Sequence, residues 1–295
     1  MHNKEHIGFV GAGLMGRGMA EHLHQAGHPL TLYVHRNRTG IEPLLAQGCD
    51  ETGSLTTLAA RGEGILLCVR NPDAVRAVVT ELAPALRPGQ LVLDATTSNP
   101  ETSRAIATQL AARGIGFADA PVTGGPAEAA AGRLGTLLGC TETDFERARA
   151  IVACYSKVVH RVGEVGAGHA AKLLNNFVTQ GTTVLLAEAY RRARDVGVDW
   201  QALYSVMETG AARSGTLEKM VKPALAGDYD GSRFALRNAL KDYRYICEMY
   251  AASPRGPSRV AEEIRAVFAA AVEAGAGERY VSALLDPALD PLKTR

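Results

Sequence analysis

Residues 7–18 read IGFVGAGLMGRG. A short apolar run, Ile7–Val10, leads into Gly11, Gly13 and Gly16, and a helical pattern from Leu14 to Ala26 closes on Gly27. This is G-x-G-x-x-G between a strand and a helix. Gly11 permits the tight turn, Gly13 lets backbone N–H groups approach a pyrophosphate, and Gly16 lets helix and strand pack closely. The helix N-terminus then attracts the anion. Leu14 and Met15 lie between the second and third glycines and complete the expected cofactor-binding turn.

Outward from this turn, short apolar runs alternate with helical stretches. Strands are expected at Leu30–Val34, Ile65–Val69, Leu91–Asp94, Phe117–Ala120 and Gly135–Gly139, with helices over Val75–Leu86 and Pro100–Arg113. Alternation of this kind implies a mostly parallel sheet covered on both faces. In that setting the glycine turn reads as a nucleotide site and not as an ordinary βα turn.

The second half has a different pattern. Gly168 to Arg194 is helical without proline, roughly 40 Å at about 1.5 Å per residue, longer than a crossover helix needs. Further helices are expected at Trp200–Thr209, Thr216–Lys222, Leu236–Ala251 and Ser258–Ala274. The expected architecture is therefore α/β: a Rossmann-type doubly wound domain over residues 1–164, then an all-α domain over 165–295 with a long interdomain helix.

Composition excludes several classes. The 32 basic and 31 acidic residues give a formal charge of +1, which offers no electrostatic reason for nucleic acid or a membrane as partner. No apolar run approaches the ~18–20 residues of a bilayer span, and the N-terminus does not read as a signal peptide. Cys49, Cys68, Cys140, Cys154 and Cys247 are scattered, which suits core residues of a reducing, cytoplasmic compartment. Cys68 in particular reads as a packing residue. No histidine–acid spacing of a metal site is present, so none is expected.

An acid usually stands about 20 residues after the glycine turn, at the end of the second strand, to hold the ribose 2′-hydroxyl. Here Leu32-Tyr33-Val34-His35-Arg36-Asn37-Arg38-Thr39 carries none, and the next acid is Glu42. Arg36 and Arg38, with Asn37 between them, stand where a 2′-phosphate would lie, and guanidinium forks suit phosphate oxygens. NADP(H) is expected to be preferred, with NAD(H) also accepted.

Three more segments follow in order. Residues 119–125 read DAPVTGG, residues 166–176 read GAGHAAKLLNN, and residues 240–242 read LKD. With the glycine turn, they resemble the β-hydroxyacid dehydrogenase family, which takes in 3-hydroxyisobutyrate dehydrogenases and related semialdehyde reductases. The resemblance runs from residue 7 to residue 242. It implies that Lys172 is the general acid/base and that Asn176 orients the substrate. It further implies that the Thr123 hydroxyl and the amides of Gly124 and Gly125 hold a substrate carboxylate. Lys241 and Asp242 are placed near nicotinamide and substrate, and Thr97 near the nicotinamide ribose. The chain departs from the family's usual pattern at Thr123, where serine is common, and at Tyr243, where leucine is common. The implied partners are a small anionic substrate and copies of the chain, as a homodimer or homotetramer.

The residues themselves support this chemistry. Lys172 and Asn176, at i and i+4, share one helix face. Hydride transfer to an aldehyde leaves an alkoxide that must be protonated, and a lysine can give that proton and take it back. Free lysine titrates near about 10.4, so burial or a second cation, with Lys241 the candidate, must help it act as a base. His169 reads as a surface residue of the helix N-terminus. An imine reductase on the same scaffold, or a non-enzymatic NADP(H) sensor, are the competing functions. The first usually replaces the motif lysine, and the second needs only the glycine turn.

Overall fold

In the computed structural model of the chain, residues 4–34, 38 and 40–289 are described. They divide into two compact units, Met1–Lys172 and Leu173–Arg295.

The first unit is built on a nine-stranded sheet. Its strands are β1 (Ile7–Val10), β2 (Leu30–Tyr33), β3 (Asp50–Thr52), β4 (Gly64–Leu67), β5 (Leu91–Asp94), β6 (Gly116–Asp119), β7 (Val122–Thr123), β8 (Leu134–Gly139) and β9 (Ser156–Gly163). The spatial order is β3-β2-β1-β4-β5-β6-β8-β7, with β9 paired to β8. The first six strands are parallel, while β8 runs antiparallel to β6 and β7 and parallel to β9. This is the 3-2-1-4-5-6 order of a doubly wound nucleotide-binding sheet, in which ligands bind beyond the strand C-termini where the order reverses, here between β1 and β4.

The central strands are buried on both faces, so they read as apolar runs without alternation. Ile7, Phe9, Leu66, Leu91 and Leu93 enter one core layer, and Val10, Ile65, Leu67 and Val92 the other. Around the sheet run α1 (Leu14–Gln25), α2 (Glu42–Ala46), α3 (Leu55–Arg61), α4 (Pro72–Leu82), α5 (Pro100–Ala111), α6 (Pro126–Ala130) and α7 (Glu142–Val152). α4 and α5 begin alike: Asn71 and Asn99 each accept a backbone N–H from the third residue on, and a proline follows at the first helical position. Proline lacks the N–H that would be orphaned there, and its fixed φ suits the helix. The helix expected from Val75 therefore starts three residues earlier.

The helix α8 (Ala167–Asp195) has 29 residues, about 43 Å at ~1.5 Å per residue, and links the two units. The second unit continues with α9 (Trp200–Thr209), α10 (Gly215–Ala224), α11 (Leu236–Ala251) and α12 (Arg259–Ala271). Asp199, Ser214 and Ser258 cap α9, α10 and α12. Its core is a single cluster around Leu173, Tyr190, Met220, Tyr243, Ile246 and Phe268. Among the described residues no helix is long and apolar enough to cross a membrane.

Tyr243, left without a role by its sequence, is wholly buried and donates its hydroxyl to the Phe177 carbonyl at 2.7 Å. It packs against Phe177 and Phe268. Gly181 makes this possible, since a Cβ there would stand 3.2 Å from the Tyr243 hydroxyl and 3.3 Å from Ile264.

Candidate active site

The three glycines of the turn are not equivalent. Gly11 has φ +100°, and a Cβ on it would lie 2.2 Å from the Cys68 carbonyl oxygen. A Cβ on Gly16 would lie 2.1 Å from the Gly11 carbonyl oxygen. Both glycines are required by the protein's own packing. Gly13 is different: it is exposed, its φ is −79°, and nothing lies within 4 Å of where its Cβ would be. No side chain caps α1 at Gly13. Open space before an uncapped helix N-terminus fits a pyrophosphate, which takes the amide donors and the positive end of the helix dipole. A methyl group at Gly13 would intrude on that space. Leu14 beside it is 85% exposed, and Met15 is half-buried.

At the end of β2, Arg36 and Asn37 lie outside the described residues. Arg38 is described, and its Nη2 is 2.8 Å from Glu51 Oε1 on β3. No signal along the chain announced Glu51, because β3 is a three-residue, polar edge strand.

Beyond β5, Thr96 stitches the crevice together. Its Oγ1 accepts the Val69 N–H at 3.1 Å and its own N–H donates to Asp94 at 2.9 Å. Thr97 follows, half-buried. Asp94 is 1% exposed, and burial raises its carboxyl above the usual range. Cys68 lies at the end of β4, partly buried against the core, and burial pushes its thiol up to about 12.

His169 corrects the sequence reading. It is not a surface residue but is wholly buried. Its Nε2 meets the Thr96 carbonyl at 2.7 Å and must donate there, because a carbonyl only accepts; Nδ1 meets the Ser103 hydroxyl at 2.6 Å. The Asp94 and Asp119 carboxylates stand 4.0 and 3.9 Å from the ring nitrogens. The reason lies in the two glycines before it. Gly166 has φ +93°, and a Cβ on Gly168 would be 2.5 Å from the Leu137 oxygen and 2.7 Å from the Asp119 oxygen. They let the start of α8 press onto the ends of β6 and β8, which carries His169 inside. Asp119 closes the junction by accepting the N–H groups of Gly166 and His169, each at 2.6 Å.

Thr123 is half-buried at the end of β7 and donates its hydroxyl to the Gly135 carbonyl at 3.2 Å. Gly124 has φ +108°, conformation that favours glycine. The Gly125 N–H donates to the Glu128 carboxylate at 2.8 Å.

Lys172 is half-buried on α8, and Asn176 follows one helical turn later. In the second unit, Asn176 is 5% exposed and donates Nδ2 to Asp242 Oδ2 at 2.8 Å. A carboxylate only accepts, so the amide's orientation is fixed by its partner. Asp242 is itself 1% exposed, and its Oδ1 lies 3.2 Å from Lys241 Nζ, an ion pair without hydrogen-bond geometry. Lys241 also stands over the Tyr245 ring, 5.5 Å from its centroid. Asp242 thus bridges Lys241 and Asn176. Among the described residues no group of histidines, cysteines and acids is arranged to hold a metal ion.

Two family models match the chain. One, described as the NAD binding domain of 6-phosphogluconate dehydrogenase, matches residues 6–166. The other, described as NAD-binding of NADP-dependent 3-hydroxyisobutyrate dehydrogenase, matches residues 166–288. An uncharacterized oxidoreductase of Shewanella frigidimarina is 33% identical over 230 residues, 76% of this chain and 78% of that protein. The 2-(hydroxymethyl)glutarate dehydrogenase of Eubacterium barkeri is 30% identical over 241 residues, 80% of this chain and 79% of that one. Among solved structures, the Mycobacterium tuberculosis 3-hydroxyisobutyrate dehydrogenase with L-serine has a TM-score of 0.88 at 24% identity, covering 96% of this chain and 98% of that chain.

Proposed function

The chain belongs to the β-hydroxyacid dehydrogenase family, enzymes that use a nicotinamide cofactor, and on that premise we propose that it interconverts a short β-hydroxy acid and its semialdehyde with NADP(H) as preferred cofactor. The observation that carries this reading is the chain Lys241–Asp242–Asn176, which fixes the Asn176 amide one helical turn from Lys172.

A nicotinamide held at the glycine turn would supply a hydride acceptor for the alcohol carbon and a hydride donor for the aldehyde. In oxidation, the Lys172 amine takes the hydroxyl proton as the C–H hydride leaves; in reduction, its ammonium protonates the new alkoxide. With one Nδ2 hydrogen committed to Asp242 and Oδ1 accepting from Asn175 at 3.4 Å, Asn176 keeps a second N–H as a donor and the other lone pair of Oδ1 as an acceptor for the substrate's oxygen. Thr123, Gly124 and Gly125 are assigned to the substrate carboxylate, with Lys241 as a further cation. In the structure the Thr123 hydroxyl and the Gly125 amide have protein partners, so a carboxylate taking both must displace Gly135 and Glu128. Glu128 carries a like charge, which favours the exchange only when the side chain can turn to water. Gly11, Gly13, Leu14, Met15, Gly16, Thr97 and Lys241 are assigned to the cofactor. Arg36, Asn37 and Arg38 are assigned to its 2′-phosphate.

The names of two relatives narrow the substrate class. 3-Hydroxyisobutyrate, L-serine and 2-(hydroxymethyl)glutarate share a primary alcohol β to a carboxylate. We assign that fragment, with a variable substituent on the carbon between, to this chain's substrate. We assign the chain to the cytoplasm, in keeping with its five free cysteines. We assign it also to a homodimer or homotetramer. Leu174, Val178 and Leu185, exposed along one face of α8 at 47%, 63% and 68%, support self-association.

The deciding experiment replaces Lys172. Lys172→Ala should leave NADPH affinity nearly intact and lower kcat by ~10²–10⁴-fold with a panel of 2-substituted 3-hydroxypropanoates and their semialdehydes. Lys172→Arg should not restore turnover, because a guanidinium keeps its proton in this pH range. Near-normal kcat for the arginine variant would reduce Lys172 to an anion anchor. Turnover of cyclic imines in preference to semialdehydes would favour an imine reductase, and binding without any turnover a sensor.

A further inference from the structure

The end of β2 lacks the acid that commonly reads the adenine ribose, but the neighbouring strand delivers one. Arg38 stands four residues past Val34, whose N–H still pairs with the Thr52 carbonyl of β3. β3 lies beside β2 in register, with Glu51 opposite Leu32. From there Glu51 reaches the Arg38 guanidinium at 2.8 Å. The flanking Asp50 is 3.7 Å from Arg61, so Glu51 is the carboxylate of this strand that faces Arg38.

We propose that Glu51 is a specificity-determining residue: its carboxylate competes with the nucleotide's 2′-phosphate for Arg38 and so moderates the preference for NADP(H) over NAD(H). The inference rests on reading Arg38 as a 2′-phosphate partner. A guanidinium offers five N–H donors, and those engaged by a carboxylate are withheld from a phosphate. A phosphate on Arg38 is also brought toward a second negative charge. A nucleotide with a 2′-hydroxyl presents no charge to either residue and leaves the ion pair in place. Both side chains are well exposed, 56% for Arg38 and 36% for Glu51, and exposed pairs of this kind contribute little to folding. Glu51 can therefore be neutralised without loss of the fold, while its effect on a bound dianion persists.

The test uses the full chain and two fragments of the cofactor, 2′,5′-ADP and 5′-AMP, titrated by calorimetry. Glu51→Gln should tighten 2′,5′-ADP roughly two- to fivefold, the range an exposed charge pair is worth, and leave 5′-AMP unchanged. The gain should shrink as salt is raised. Arg38→Ala should weaken 2′,5′-ADP alone, and Glu51→Gln added to it should bring little further change. Glu51→Ala, checked by thermal melting beside the glutamine variant, repeats the measurement without the amide. If neither Glu51 variant changes the ratio of the two affinities, or if both fragments shift together, the role of Glu51 falls while a selective Arg38→Ala effect upholds the cofactor reading. If Arg38→Ala shifts both fragments equally, the assignment of Arg38 and the role of Glu51 fall together.

Discussion

Replacing His169 with alanine tests the junction on which both the cofactor crevice and the start of α8 depend. The ring is wholly buried and makes two short hydrogen bonds, to Ser103 and to the Thr96 carbonyl. Truncation leaves the Thr96 carbonyl unpartnered, at about 1–3 kcal/mol, leaves the Ser103 hydroxyl only its 3.5 Å contact with the Asn99 carbonyl, and puts a cavity in place of the ring. The Asp94 and Asp119 carboxylates also lose the polar group between them. These costs overlap, so a total of about 3–5 kcal/mol is expected. For a unit of this size ~1 kcal/mol shifts Tm by roughly 2–4 °C, which puts the first unit's transition roughly 6–20 °C lower. His169→Gln should recover a large part, since its amide can donate to Thr96 and accept from Ser103. His169→Phe, which keeps volume but no polar atom, should not. The assay is thermal unfolding followed by circular dichroism for the four proteins under one buffer. An alanine variant melting within about 2 °C of the parent, or a glutamine variant no better than phenylalanine, refutes the argument.

Three further outcomes follow from the geometry. Gly13→Ala should fold normally and lose nucleotide affinity, while Gly11→Ala and Gly16→Ala should lower Tm, because only the latter two collide with backbone; melting and NADPH titration of all three variants separate the effects. Tyr243→Phe should cost about 0.5–1.5 kcal/mol in denaturant unfolding by removing the bond to Phe177, with kcat little changed. Burial raises the thiols of Cys68 to about 12 and of Cys140 and Cys247 to about 11, so these remain protonated at pH 8 and should react with Ellman's reagent only slowly until pH rises or the chain unfolds; rapid modification of Cys68 in the folded protein contradicts its packing role.

Much of this protein was legible along the chain because its signals are local. A strand, G-x-G-x-x-G and a helix occupy consecutive residues, so the turn at Gly11–Gly16 and its nucleotide role are written in spacing alone. The bounds of β1, β5, α9 and α11 follow the apolar pattern residue by residue. The apolar pattern does not announce β3, β7, β9, α2, α3, α6 or α7; β3 and β9 are largely exposed, at Asp50–Thr52 and Ser156–Gly163, where pairing with a neighbour makes the strand. Three further differences are long-range. His169 looks like an exposed helix end until Gly168 lets α8 close onto Asp119, fifty residues earlier in one contact. Asp242 reads only as part of Leu-Lys-Asp until packing brings its carboxylate to Asn176, sixty-six residues away. Glu51 has no motif at all, and acquires meaning only when β3 pairs with β2 and sets it against Arg38. Spacing along a chain determines which backbone turns and helix faces can form; which buried carboxylate meets which donor is decided only when the sheet and the helices close, since the cost of leaving such groups unpaired acts between residues that are neighbours in space alone.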